Sequence, residues 1–100
     1  MLTSKQRAYL RGLANTAEPI FQIGKNGINE NLIEQLSDAL EARELIKVTV
    51  LETAFLETRE ACSECARLTH SEPVQSIGFK FVLYKQAKNK KNRKIELPRK

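Results

Sequence analysis

Between Leu45 and Leu51 the chain reads Leu-Ile-Lys-Val-Thr-Val-Leu, a β-branched run that favours a strand. Helix-period segments flank it on both sides. Upstream, Leu32, Ile33, Leu36, Ala39 and Leu40 follow the spacing of a helix core face, with Asn29 placed to cap it. Glu30, Glu34, Asp38 and Glu41 fill the opposite side. Downstream, a helix is expected from about Thr53 to Thr69. Its apolar arc carries Ala54, Phe55, Ala61, Cys62, Cys65, Ala66 and Leu68. A strand enclosed in this way cannot pair with its sequence neighbours, so it must find partners across helical connections. That requirement selects an α/β arrangement with partly parallel pairing.

The rest of the chain supplies those partners. Thr3 or Ser4 can cap a first helix running to about Asn15, its apolar arc formed by Leu2, Tyr9, Leu10, Leu13 and Ala14. Pro19 stops any helix, and Ile20 to Ile23 reads as a short buried strand. Pro73 begins an extended stretch from Val74 to Ile77. Gly78 turns the chain into a last strand with Phe79, Phe81 and Leu83 on one face. The expected order is α-β-α-β-α-β-β, a compact single α/β domain with helices packed on a four-stranded mixed sheet. Its last two strands form an antiparallel hairpin.

Length and composition bound the function. One hundred residues support one core that buries about two-thirds of the unfolded surface. No stretch reaches the roughly 20 apolar residues of a membrane span. The charged start carries no apolar run of a signal peptide. Two cysteines make no disulfide scaffold, so a reducing cytoplasm is the expected location.

The net charge of +5 conceals a segregation. Residues 1–29 carry +3, residues 30–79 carry −6 and residues 80–100 carry +8. Such a pattern suits a polyanionic partner. The domain is expected over residues 1–85. Residues 86–100 are too polar to pack by themselves and read as a mobile basic tail, free to lie along phosphates.

Gly24-Lys25-Asn26-Gly27 lies between a strand and a helix N-terminus. Unpaired amides and the helix dipole favour an anion there, and two glycines leave room for a sugar-phosphate backbone. Loops of this Gly-x-x-Gly form clamp nucleic-acid backbone in KH domains, although the same spacing also occurs in plain turns. Arg7 and Arg11 stand four apart on the first helix with no acidic partner at helical spacing, and Lys5 lies at the margin of its apolar arc. Cys62 and Cys65 form a C-x-x-C pair, but they fall mid-helix on the apolar arc. Only His70 could join them on a metal, so packing is the expected role and no metal or other cofactor is implied. No residue set for catalysis is present.

Five ordered blocks resemble a known family. They are Leu2-Thr3-Ser4-Lys5-Gln6-Arg7, Leu10-Arg11-Gly12-Leu13-Ala14, Gly24-Lys25-Asn26-Gly27, Glu44-Leu45-Ile46-Lys47-Val48, and Ile77-Gly78 followed by Val82-Leu83-Tyr84. Together they are similar to the CRM domain (chloroplast RNA splicing and ribosome maturation) in its bacterial stand-alone, YhbY-like form, over about residues 2–85. The resemblance implies a fold similar to the C-terminal domain of translation initiation factor three. It also implies a non-enzymatic RNA-binding role in ribosome assembly, on ribosomal RNA of large-subunit precursors. By the same resemblance the contact residues are Gly24, Lys25, Asn26 and Gly27, with Lys5, Arg7, Arg11 and Lys47 as basic companions. The cysteine pair and the segment after Gln86 lie outside the family pattern.

The expectation is a monomer that recognises RNA backbone and shape, without membrane or small-molecule partners. The competing readings are two. One is a protein-interaction module docking basic ribosomal proteins or assembly factors through the acidic middle. The other is a thiol or metal protein.

Overall fold

The computed structural model describes residues 2–99. Met1 and Lys100 lie outside the described residues, so the last charge of the basic tail is not placed. The elements are α1 (Ser4–Ala14), β1 (Phe21–Ile23), α2 (Glu30–Arg43), β2 (Leu45–Val50), α3 (Thr58–Thr69), β3 (Glu72–Ile77) and β4 (Lys80–Tyr84). They make the α/β order read from the sequence. The sheet is four-stranded and mixed, in the order β1-β2-β4-β3. β1 runs parallel to β2, with Phe21 opposite Val48. β4 is antiparallel to both β2 and β3.

Strand alternation divides the core between two faces. Ile46, Val48, Val50, Phe81 and Leu83 point toward α2 and α3, where Leu36, Leu40, Ala61, Cys62, Cys65 and Ala66 meet them. Val82 and Tyr84 point the other way and pack with Val74 of β3 and with Leu2, Leu10 and Ala14 around α1. Thus α2 and α3 cover one face of the sheet, and α1 lies on the other.

Local chemistry sets the helix ends. Thr3 and Gln6 form a reciprocal capping box at the start of α1. Asn29 caps α2 by accepting the Leu32 N–H at 2.8 Å. The third helix differs from expectation, since it begins at Thr58 and not near Thr53. A 3-10 turn at Glu52–Ala54 intervenes and ends at Phe55, whose φ is 53°. The Leu51 N–H continues the β1–β2 ladder by donating to the Ile23 carbonyl at 2.8 Å, which holds Leu51 extended, so the chain leaves the sheet only at the 3-10 turn. Phe55 consequently leaves the apolar arc and is 94% exposed. Phe79 likewise falls in the turn before β4, and only Phe81 and Leu83 enter the core.

The segment after Tyr84 corrects another expectation. It is docked on the domain, where a mobile tail was expected. Ala87 is buried, and Ile95 and Leu97 pack on the α1 side of the sheet. The buried Glu44 carboxylate accepts the N–H groups of Ala87, Lys94 and Ile95. Glu41 accepts those of Lys88 and Asn89. The segment has few apolar residues, and carboxylates from the end of α2 satisfy the backbone donors that its docking removes from water.

Candidate nucleic-acid interface

The Gly24–Gly27 loop closes on itself, the Gly27 N–H donating to the Gly24 carbonyl at 2.9 Å. Gly27 has φ +66°, and a Cβ added there would meet nothing within 4 Å, so its glycine serves the backbone. Gly24 is different. Its φ is not in the left-handed region, and an added Cβ would make only ordinary contacts of 3.7 Å with Leu51 and Thr53. Neither backbone conformation nor packing demands glycine there. Lys25 and Asn26 are exposed at the tip, and no hydrogen bond or ion pair holds the Lys25 ammonium among the described residues. The loop borders a polar depression of about 390 Å³, completed by Asn29, Asn31 and Gln35 of the following cap and helix. Glu30, in the first turn of α2, already interacts favourably with that helix's dipole.

Lys5 and Arg11 are exposed on α1 and Arg7 is half-buried there. None of their side chains has a hydrogen-bond or ion-pair partner among the described residues. Lys47 is placed differently. Its ammonium donates to the carbonyls of Ala14 at 3.1 Å and Ala17 at 3.4 Å, closing the C-terminal end of α1. The same residue's carbonyl accepts the Ile20 N–H, so the end of α1 lies beside the start of β1. The glycine loop leaves the other end of that strand, four residues and roughly 13 Å away. The loop is therefore separated from the C-terminal end of α1 by the length of β1, while Lys5 and Arg7 lie toward the helix's other end, where the Leu2 N–H donates to Glu72 of β3.

The docked C-terminal segment adds cations that periodicity could not place. Gln6 Nε2 of α1 donates to the Pro98 carbonyl at 3.0 Å, fixing the segment beside the helix. The last residues of the segment, exposed Arg99 among them, thereby meet α1, whereas Lys88, Lys90 and Lys91 are exposed beside the C-terminal end of α2, where Glu41 accepts the Lys88 and Asn89 N–H groups. Most of the acidic middle lies on α2 and α3, across the sheet.

Cys62 and Cys65 are free and buried in the α3–sheet interface. Burial raises the Cys62 thiol, with a Ser76 hydrogen bond opposing it. Burial, then the neighbouring Cys62 and Glu64, pushes Cys65 up to about 12. Such thiols are poor nucleophiles. Among the described residues no three His, Cys, Asp or Glu side chains converge to hold a metal. No helix among them is long and apolar enough to cross a membrane.

Comparison with known proteins agrees with the fold. The model of the CRS1/YhbY (CRM) domain matches residues 2–85. The chain is 47% identical to the Bacillus subtilis protein named probable RNA-binding protein YqeI, over 98% of this chain and all of that one. It is 38% identical to a Haemophilus influenzae protein named RNA-binding protein, covering 99% of this chain and 97% of the relative. The solution structure of the Staphylococcus aureus hypothetical protein SAV1595, a proposed RNA-binding protein, superimposes with a TM-score of 0.77 at 49% identity. The superposition covers 98% of this chain and all of that one. The match spans the glycine loop, α1 and the whole sheet, and the chain belongs to the CRS1/YhbY (CRM) domain family.

Proposed function

We propose that this protein binds RNA through the Gly24–Gly27 loop and the basic α1 side of the sheet, and that it acts in ribosome assembly on ribosomal RNA of large-subunit precursors. The observation that carries the reading is the Gln6–Pro98 bond, which brings the end of the basic C-terminal segment against α1, the helix that carries Lys5, Arg7 and Arg11. Family membership and the names of its relatives support RNA as the polyanion. Loop amides and Lys25 would hold phosphates at one station. Lys5, Arg7 and Arg11 would hold them at the other, and the C-terminal lysines would extend the track. Lys47 would contribute by fixing α1, since its ammonium is engaged by main-chain carbonyls.

A Lys25→Glu/Arg11→Ala variant should lose RNA affinity at physiological salt, and unchanged affinity would remove the proposed site. With about six phosphates engaged, log K should fall with log salt at a slope of roughly −4 to −5. Crosslinking in cells followed by sequencing of the bound RNA tests the ribosomal assignment.

A second reading has one observation in its favour. A groove of about 760 Å³ opens beside α3, floored by Ile28, Leu56 and Leu68 and rimmed by Arg59, Glu60, Glu64 and Arg67, with Glu64 paired to Arg67. Its apolar floor would suit a protein partner, with Glu60 at the rim to meet a basic side chain. Charge reversal at Glu60 should weaken association through this groove, and reversal at Glu34 and Glu41 association through the acidic face of α2, while free RNA still binds.

A further inference from the structure

The Gly24–Gly27 end of the sheet carries apolar side chains that neither the core nor phosphate binding uses. Three segments converge there. The glycine loop leaves β1, whose Ile23 carbonyl accepts the Leu51 N–H. The 3-10 turn follows and ends at Phe55. The β3–β4 turn reaches the same end, because the Phe79 carbonyl accepts the Val50 N–H at 2.6 Å. On these segments Phe55 is 94% exposed, Ile77 68% and Phe79 58%.

Phe55 is held in water against two preferences. Its ring is apolar, and its φ of 53° is one that bulky residues seldom adopt. The Phe55 N–H donates to the Glu52 carbonyl at 3.1 Å and fixes the turn in that form. Exposed Lys25 and Lys80 place two cations at this end of the sheet, against the two carboxylates of Glu52 and Glu57. Glu52 and Glu57 flank Phe55 itself, where they would repel a phosphate but not the uncharged face of a base.

We propose that Phe55 and Phe79 form a stacking platform for unpaired bases of the RNA whose backbone the Gly24–Gly27 loop holds. The proposal rests on the RNA-binding reading and refines it. Recognition would include base faces as well as backbone and shape, and it would favour single-stranded segments over duplex. Stacking of this kind tolerates sequence, because every base offers a π-face.

The test uses the full chain and two fluorescent probes of equal length and charge: a short single-stranded oligoadenosine and its abasic counterpart. Phe55→Ala and Phe79→Ala should each weaken oligoadenosine binding about tenfold and leave the abasic probe unaffected. Phe55→Trp provides a sole tryptophan, whose emission oligoadenosine should quench and the abasic chain should not. Equal binding of the two probes, or wild-type oligoadenosine affinity in both alanine variants, would overturn the platform and leave these rings to a protein contact. If neither probe binds, and Lys25→Glu changes nothing, the RNA-binding reading itself fails. Circular dichroism of each variant checks that the exposed substitutions leave the fold intact.

Discussion

The carboxylate of Glu44 accepts the main-chain N–H of Ala87 at 2.8 Å, across 43 residues of sequence. Its other oxygen accepts the N–H groups of Lys94 at 2.6 Å and Ile95 at 2.9 Å. Glu44 also ends α2 through its own N–H and receives the Lys85 N–H on its carbonyl at 2.9 Å. Its φ of 67° is costly for a residue with a Cβ, by about 1–2 kcal/mol. Hydrogen bonds to an ionised acceptor, at about 1.5–3 kcal/mol each, offset that strain. Burial alone would raise the Glu44 pKa, but the amides of Ala87, Lys94 and Ile95 outweigh it, and the group is held below its ordinary value.

Replacing Glu44 by Ala should destabilise the protein by about 3 kcal/mol. Denaturant unfolding would measure the loss. Amide hydrogen exchange should quicken at Ala87, Lys94 and Ile95 and remain slow in β2 and β4. Unchanged exchange at those three amides would mean that Ile95 and Leu97 dock the segment unaided.

Docking should also weaken in acid. Glu41 is held below its ordinary value of 4.5 by the amides of Asn89 and Lys88, and then by the Asn92 side chain. Glu44 shifts in the same direction. With both depressed, the undocked chain binds more protons, and stability rises with pH through this window. The contribution is complete above about pH 5 and is lost as pH falls through the depressed values. Amide shifts of residues 87–95 followed by NMR should report the undocking. Glu41→Gln should reduce the part of the change that depends on acid.

The two loop glycines should separate fold from function. Gly27→Ala should cost about 1–2 kcal/mol, because φ +66° disfavours a side chain. Gly24→Ala should melt like the parent, since its Cβ meets only ordinary contacts at 3.7 Å. If RNA backbone approaches the loop, Gly24→Ala should still weaken binding. A thermal melt paired with a titration decides it: parental affinity in Gly24→Ala would show that no backbone approaches there.

The thiols should be silent in the folded protein. With Cys62 raised and Cys65 near 12, an aromatic disulfide reagent at pH 8 should label neither until denaturant is added, and then both. Rapid labelling of the native protein would contradict their burial.

Features governed by local periodicity were legible in the sequence. The run at Leu45–Val50, both earlier helices and the final hairpin depend on neighbours a few residues away. The glycine loop was legible for the same reason, its spacing being a local signal. The late start of α3 was not, because the Leu51–Ile23 bond, which keeps the chain in the sheet up to the 3-10 turn, joins segments distant in sequence. The exposed Phe55 ring followed from that turn. The C-terminal segment was misread because its anchors, Glu41 and Glu44, lie nearly half the chain away. Lys47 read as an available cation, since only the folded chain brings the Ala14 and Ala17 carbonyls to it.

The strand order has a consequence for biosynthesis. β4 is translated after β1, β2 and β3, yet it lies between β2 and β3 and joins them. Until Lys80–Tyr84 has left the ribosome, β3 has no partner in the sheet and the two halves share no hydrogen-bonded ladder. The β1–β2 pair can form earlier, but the ladders that join β3 to the rest of the sheet must wait for β4 and close together, β2–β4 across a long sequence separation.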